Sequence, residues 1–266
     1  MSSSSKLENI YHKSQAKIWD GRGVLSDLVE RHGGIVVSEK YNEALCNIFS
    51  VILEGELAAW NVSLQLAEML KDPAAKMAAT SQAHDESRHF YVMRDYLGLY
   101  GRELPEVPTP VREALDMVLS TKNLAKKLLG MQLMVEPVAL TIFQEVRRVS
   151  PEPILSDLLE LFEIDEARHV ALGVYHLPAV VKDLGPARIM SLIMWQMKIF
   201  MLELEGLSQL KPHFEVIGLD AEELFSLAEK KQLDALRDFV SELGMSPKVW
   251  EPIRYFIKYQ KKRVLS

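Results

Sequence analysis

Apolar residues recur at helical spacing along almost the whole chain. Stretches such as LCNIFSVILEGELAAWNVSLQLAEML (45 to 70) and ILSDLLELFEIDEARHVALGVYHL (154 to 177) place them on one face of a 3.6-residue period. The only short β-branched run is Gly34-Ile35-Val36-Val37. The pattern predicts an all-α protein. Helix starts are marked by Ser38, Asp72-Pro73, Thr109-Pro110 and Ser150-Pro151, and then by Gly185-Pro186, Asp220 with Glu223 as a capping box, and Ser246-Pro247. Long helices are expected near 39–71, 73–99, 110–149 and 151–182, with a fifth over about 185–210. The proline-rich GRELPEVPTP (101 to 110) is the clear irregular connection. The chain is thus expected to form a single domain over 1–266: a four-helix bundle about 38–182 with accessory helices at 1–37 and 183–266.

Within this frame one pattern repeats. Residues 84 to 89 read HDESRH and 164 to 169 read IDEARH, so Asp-Glu-x-Arg-His occurs twice, 80 residues apart. Glu56 lies 16 residues before Asp72 and Glu86 lies 14 after it; Glu136 lies 14 before Ser150 and Glu166 lies 16 after it. At a rise of about 1.5 Å per residue, two antiparallel hairpins packed side by side would hold all four carboxylates at one level. His89 and His169 stand at i+3 from Glu86 and Glu166, on the same helix faces. Glu54 competes with Glu56, but two residues turn a helix by about 200°, and the 80-residue symmetry favours Glu56.

Four acids and two imidazoles in a bundle core require cancellation of charge, because a buried carboxylate must be paired, protonated or metal-bound. Two divalent cations would balance four carboxylates, and hard oxygen donors with two imidazoles suit iron or manganese. Glu56, Glu86, His89, Glu136, Glu166 and His169 are therefore the candidate metal ligands. Asp85 and Asp165 are placed to accept the N–H of a ligating histidine from the neighbouring motif helix, and Arg88 and Arg168 to pair with those aspartates at i+3. Trp60 and Gly173, one turn after Glu56 and His169, are candidates for the wall and open space of a substrate pocket, together with Met93, Leu140 and Phe143. The competing reading is a metal-free helical interaction module whose acids are solvated or paired with arginines.

Composition narrows the function classes. Apolar residues make up 48% and charged residues 26% of 266, which is globular, and a net charge of −6 without a basic run gives no footprint for nucleic acid. The single cysteine, Cys46, excludes a Cys-based zinc or rubredoxin module. The N-terminus MSSSSKLENIYHK has no apolar signal region, and the apolar stretch 189 to 207 is interrupted by Gln196, Lys198, Glu203 and Glu205, so a cytoplasmic protein without a membrane span is expected. The 12 methionines suit core filling better than ligation of a hard-donor site.

Paired DExRH motifs, each preceded by a core glutamate, resemble the non-haem di-iron carboxylate superfamily. It includes monooxygenase hydroxylase subunits, the small subunit of class I ribonucleotide reductase with its R2-like oxidase relatives, and acyl-carrier-protein desaturases. The resemblance covers roughly 38 to 182 and implies a ferritin-like fold. It implies two Fe, or a mixed Mn/Fe pair, with dioxygen as co-substrate. The implied activity is that of an oxidase or oxygenase acting on a small, largely apolar organic substrate, fed by an external reductase or ferredoxin. A homodimer is expected on general grounds. Ferroxidase or peroxide- and oxygen-scavenging chemistry is the alternative. The chain departs from relatives at three places: Met93 stands where a radical-storing tyrosine would be, Leu140 followed by Thr141 where hydroxylases carry a threonine, and Phe162 where arylamine oxygenases add a histidine.

Overall fold

A computed structural model describes residues 3–242 together with Tyr255 and Tyr259. The described residues form helices and no strand: α1 (Ser3–Ala16), α2 (Gly21–His32), α3 (Glu39–Met69), α4 (Pro73–Gly98), α5 (Thr109–Ser120), α6 (Leu124–Gly130), a π-helical turn (Met131–Val135), α7 (Glu136–Val149), α8 (Pro153–Val181), α9 (Pro186–Val216) and α10 (Ala221–Glu242). Hairpins α3–α4 and α7–α8 pack together as the central four-helix bundle, with α1 laid across α4 and α8, α9 against α3 and α5, and α10 against α7. By length and composition α3 could cross a membrane, but 61% of its apolar window is buried inside the bundle.

The caps explain most helix starts. Ser38 accepts from Tyr41 N (3.3 Å), Asp72 from Ala74 N and Ala75 N (2.8 and 3.1 Å), and Asp220 from Glu222 N and Glu223 N (2.8 and 3.1 Å). Gly185 precedes Pro186 at the head of α9. Thr109 is instead the first residue of α5, which lacks a side-chain cap. Ser150 caps nothing at its helix start: it closes α7 in the left-handed conformation (φ 45°), and Glu152 caps α8 by accepting from Ile154 N and Leu155 N at 3.1 and 2.7 Å. The expected start at Ser246-Pro247 lies outside the described residues.

The single helix expected over 110–149 is broken. Thr121 is extended, and Asn123 caps α6 by accepting from Lys126 N at 3.0 Å. The Lys127 ammonium is buried and donates to the carbonyls of Val118 (2.8 Å) and Leu119 (3.1 Å), which satisfies the freed end of α5. Further on, Pro137 has no N–H to donate to residue 133, and the ladder is reset by the wide turn Met131–Val135, with Glu136 N bonded back to Met131 O.

The core has two apolar parts. One gathers Ala58 to Leu70, Ala74 to Ala79, Leu128 to Met134 and Leu172 to Val181; the other gathers Ala44 to Ile52, Val92 to Tyr100, Ile142 to Val146 and Ile154 to Phe162. On each bundle helix the motif residues fall in the gap between these parts. The structure is therefore dry at both ends of a polar belt.

Candidate metal centre

All six candidate ligands are buried, none more than 4% exposed, whereas Glu54 faces solvent. They form two overlapping groups, Glu56–Glu86–His89–Glu166 and Glu86–Glu136–Glu166–His169, in each of which one donor atom per residue lies within 4.8 Å of the others. Glu86 and Glu166 belong to both groups, so they are the two carboxylates that a pair of cations would share. His89 Nδ1 is 3.3 Å from Glu56 Oε2 and 3.2 Å from Glu166 Oε1; His169 Nδ1 is 2.8 Å from Glu86 Oε1 and 3.2 Å from Glu166 Oε2. Both rings turn Nδ1 into the cluster and Nε2 away from it.

Behind the rings lies a closed ionic lattice. His89 Nε2 is 3.1 Å from Asp165 Oδ2, while His169 Nε2 stands 3.6 Å from Asp85 Oδ2. Arg88 donates to Asp85 (2.6 Å) and across to Asp165 (2.9 Å); Arg168 donates to Asp165 and across to Asp85 (3.0 Å). Each aspartate thus receives both guanidiniums. Burial would raise Asp85 and Asp165, but the histidines and arginines outweigh it and hold both below the ordinary carboxylate range. Both stay anionic: Asp165 is a hydrogen-bond acceptor for the His89 ring, while Asp85 lies beside the His169 ring, whose Nε2 has no hydrogen-bond partner.

Five further residues, absent from the sequence-based set, support the site. Gln82 donates to Glu136 Oε1 (2.8 Å) and Glu86 Oε1 (3.2 Å), and Gln132 donates to Gln82 Oε1 (3.2 Å). Ser14 donates to Asp85 at 3.1 Å and Trp19 Nε1 to Asp165 at 3.0 Å. The Arg88 guanidinium lies over the Trp19 ring at 4.7 Å, and Phe162 stacks on His89 at 4.1 Å. Gln82 and Gln132 each precede a candidate glutamate by four residues, a signal legible from helical spacing. Trp19 and Ser14 meet their partners across 146 and 71 residues, and no local pattern announces that.

The charge state fits a cation pair. Burial pushes Glu56 and Glu136 well above the usual carboxylate range. Burial acts against charging His89 and His169, but the facing carboxylates outweigh it and hold both rings well above the ordinary imidazole value. Without metal, protons therefore cancel the cluster's charge. Glu56 Oε2, Glu86 Oε2 and His89 Nδ1 are buried without a hydrogen-bond partner, as expected of atoms shaped to bind something other than each other. The hard oxygen donors with two imidazoles fit iron or manganese.

The apolar space beside the cluster is not where the sequence suggested. A cavity of about 80 Å³ runs between α3, α5, α7 and α9, with Glu56 and Glu136 on its wall and Val51, Ile52, Leu115, Val138 and Leu207 among its apolar lining. None of Trp60, Met93, Leu140, Phe143 or Gly173 lines it. Gly173 is packed shut, since a Cβ there would meet Gln132 Cβ at 2.5 Å. Trp60 lies tilted against Phe90, while Met93 and Phe143 are fully buried in the apolar core. Facing the bundle interior is not the same as facing the open side of the cluster, which lies toward α5 and α9.

No protein-family model matches the chain, and no curated protein matches it. Solved structures do. An R2-like ligand-binding oxidase variant with anaerobically reconstituted Mn/Fe cofactor superposes with a TM-score of 0.71 at 15% identity, covering 87% of this chain and 92% of that one. A putative class I ribonucleotide reductase from Bacillus halodurans gives 0.64 at 14%, covering 91% and 93%. An R2-like ligand-binding oxidase from Sulfolobus acidocaldarius gives 0.65 at 19%, covering 92% and 94%. At these identities the likeness shows the fold, which is all-α and ferritin-like.

Proposed function

We propose that this chain, with the ferritin-like fold of the R2-like oxidases, is an oxygen-activating two-metal oxidoreductase that oxidises a small, largely apolar organic substrate. Glu56, Glu86, His89 and Glu166 would hold one ion and Glu86, Glu136, Glu166 and His169 the other. Iron, or manganese with iron, suits these donors, and solved relatives in this fold carry Fe/Fe and Mn/Fe cofactors. When bound in the reduced state, such a pair can supply two electrons to dioxygen.

The observation that carries the reading is the cavity: its lining is apolar apart from Glu56, Glu136 and Glu203. Its apolar walls offer water few partners on the side of the cluster where a substrate would approach. Its volume corresponds to roughly five to eight water-sized sites, enough for a small organic molecule. Gln82 holds Glu136 and Glu86 by hydrogen bonds, and Asp165, itself held by Arg88 and Arg168, fixes the His89 ring, so these donors are positioned before a ligand arrives. Reducing equivalents are supplied by a separate reductase or ferredoxin, and the protein acts as a homodimer.

The test is oxygen consumption by protein loaded with ferrous iron without oxygen. With a chemical reductant and candidate aliphatic or aromatic substrates, uptake coupled to an oxidised organic product is expected, and uptake stops when the reductant is withdrawn. Continuous oxidation of many added ferrous ions per chain, with no organic product, would instead establish a ferroxidase.

A further inference from the structure

Glu203 of α9 is a carboxyl without an assigned task in this site. It lines the cavity that reaches Glu56 and Glu136, and it also lines a second, smaller space bounded by Phe200, Leu204, Phe225, Ala228, Glu229 and Gln232. Val138 and Leu207 are shared with it. Glu203 therefore stands on the wall common to the metal-side cavity and the α10-side space. Gln232 of α10 donates to Glu203 Oε2 at 2.8 Å and to Met134 O, in the π-helical turn, at 3.1 Å. Although part of the residue reaches the surface, Glu203 Oε1 is buried with no hydrogen-bond partner. A buried polar atom left unpaired costs stability unless a ligand completes it.

We propose that Glu203 is the polar anchor of the cavity, donating a hydrogen bond to an uncharged acceptor oxygen, a hydroxyl or carbonyl, on a substrate whose apolar body lies toward Glu56 and Glu136. Burial pushes the Glu203 carboxyl up to about 8, so it keeps its proton at neutral pH and is a donor. Gln232 occupies Oε2, which leaves the Oε1 side for the ligand. An amine would require Glu203 to ionise and would place an ion pair against apolar walls, where desolvation offsets the attraction. The inference deepens the two-metal oxidase reading by naming its substrate class, and it rests on that reading for what the cavity is for.

The test uses the full chain after iron loading, with metal content measured for every variant, and calorimetric titration of 1-pentanol, 2-pentanone, pentylamine and 1-chloropentane. The wild type is expected to bind the alcohol and ketone more tightly than the chloride or the amine. Glu203→Leu should weaken the alcohol by about tenfold, the size of one hydrogen bond to a buried group, without weakening the chloride. Glu203→Gln keeps a donor and should retain most of the preference. The infrared carbonyl band of a buried carboxylic acid should vanish in both variants. If the wild type shows no preference for the alcohol, if pentylamine binds best, or if Glu203→Leu leaves the preference intact, the anchor is wrong. If the wild type holds no metal yet the preference follows Glu203, the oxidase reading fails and the anchor stands.

Discussion

Two histidines and four glutamates share a buried belt, and several of these donors are steadied by hydrogen bonds from neighbouring side chains. Gln82 is the most consequential of these neighbours, because one amide contacts both a bridging carboxylate and Glu136. Gln82→Leu keeps the volume and removes the donor. It is expected to weaken metal retention by about 10- to 100-fold, read by competition with a chelator; unchanged retention would show that Glu86 and Glu136 need no orientation. The convergence of Glu56, Glu86, His89, Glu136, Glu166 and His169 was legible in the sequence because a helix turns spacing into direction and two equal hairpins turn spacing into height. Trp19 and Ser14 were not legible, since a contact between distant segments leaves no periodic trace. The cavity lining was missed for a related reason: spacing gives the face of a helix, but not which side of the cluster its partners leave open.

At the scale of elements, the third bundle helix is interrupted twice, at Thr121 to Asn123 and at the π-helical turn Met131–Val135 that leads into Glu136. The break at Thr121 to Asn123 survives because Lys127 is buried and turns its ammonium onto the carbonyls of Val118 and Leu119. Lys127→Met fills similar space but leaves those carbonyls unsatisfied; a loss of about 1–3 kcal/mol is expected in urea unfolding, and no loss would mean that water serves them equally well. Long apolar periodicity predicted one helix from 110 to 149, and periodicity alone cannot register a three-residue interruption that preserves the buried face. Ser150 illustrates the limit of cap rules. A serine before proline reads as a start, yet the buried Glu152 takes that role, and its other contact, from Tyr96 Oη at 2.9 Å, comes from α4.

For the whole molecule, the buried acid at Glu203 makes a prediction about pH. Its folded value, about 8, lies above the ordinary 4.5, so the native state holds a proton that the unfolded chain releases. Stability should therefore fall as pH rises from about 4.5 to about 8 and level off above that, the reverse of a salt-bridged carboxylate. In Glu203→Gln this component of the slope should be absent; an identical slope in denaturant midpoints from pH 5 to 8 would refute the assignment. The fold as a whole rests on two apolar clusters separated by a charged belt, an arrangement that is reasonable only if the belt's charge is cancelled. Protons can do this in the metal-free protein, and two divalent cations match the four carboxylates when bound. Elemental analysis of purified protein grown with ample iron and manganese addresses that claim most directly. The account predicts close to two transition-metal ions per chain, Fe/Fe or Mn/Fe, and far fewer in Glu86→Ala or Glu166→Ala, each of which removes a donor shared by both sites. A wild-type protein that carries no transition metal, and takes up none when reconstituted without oxygen, would contradict it.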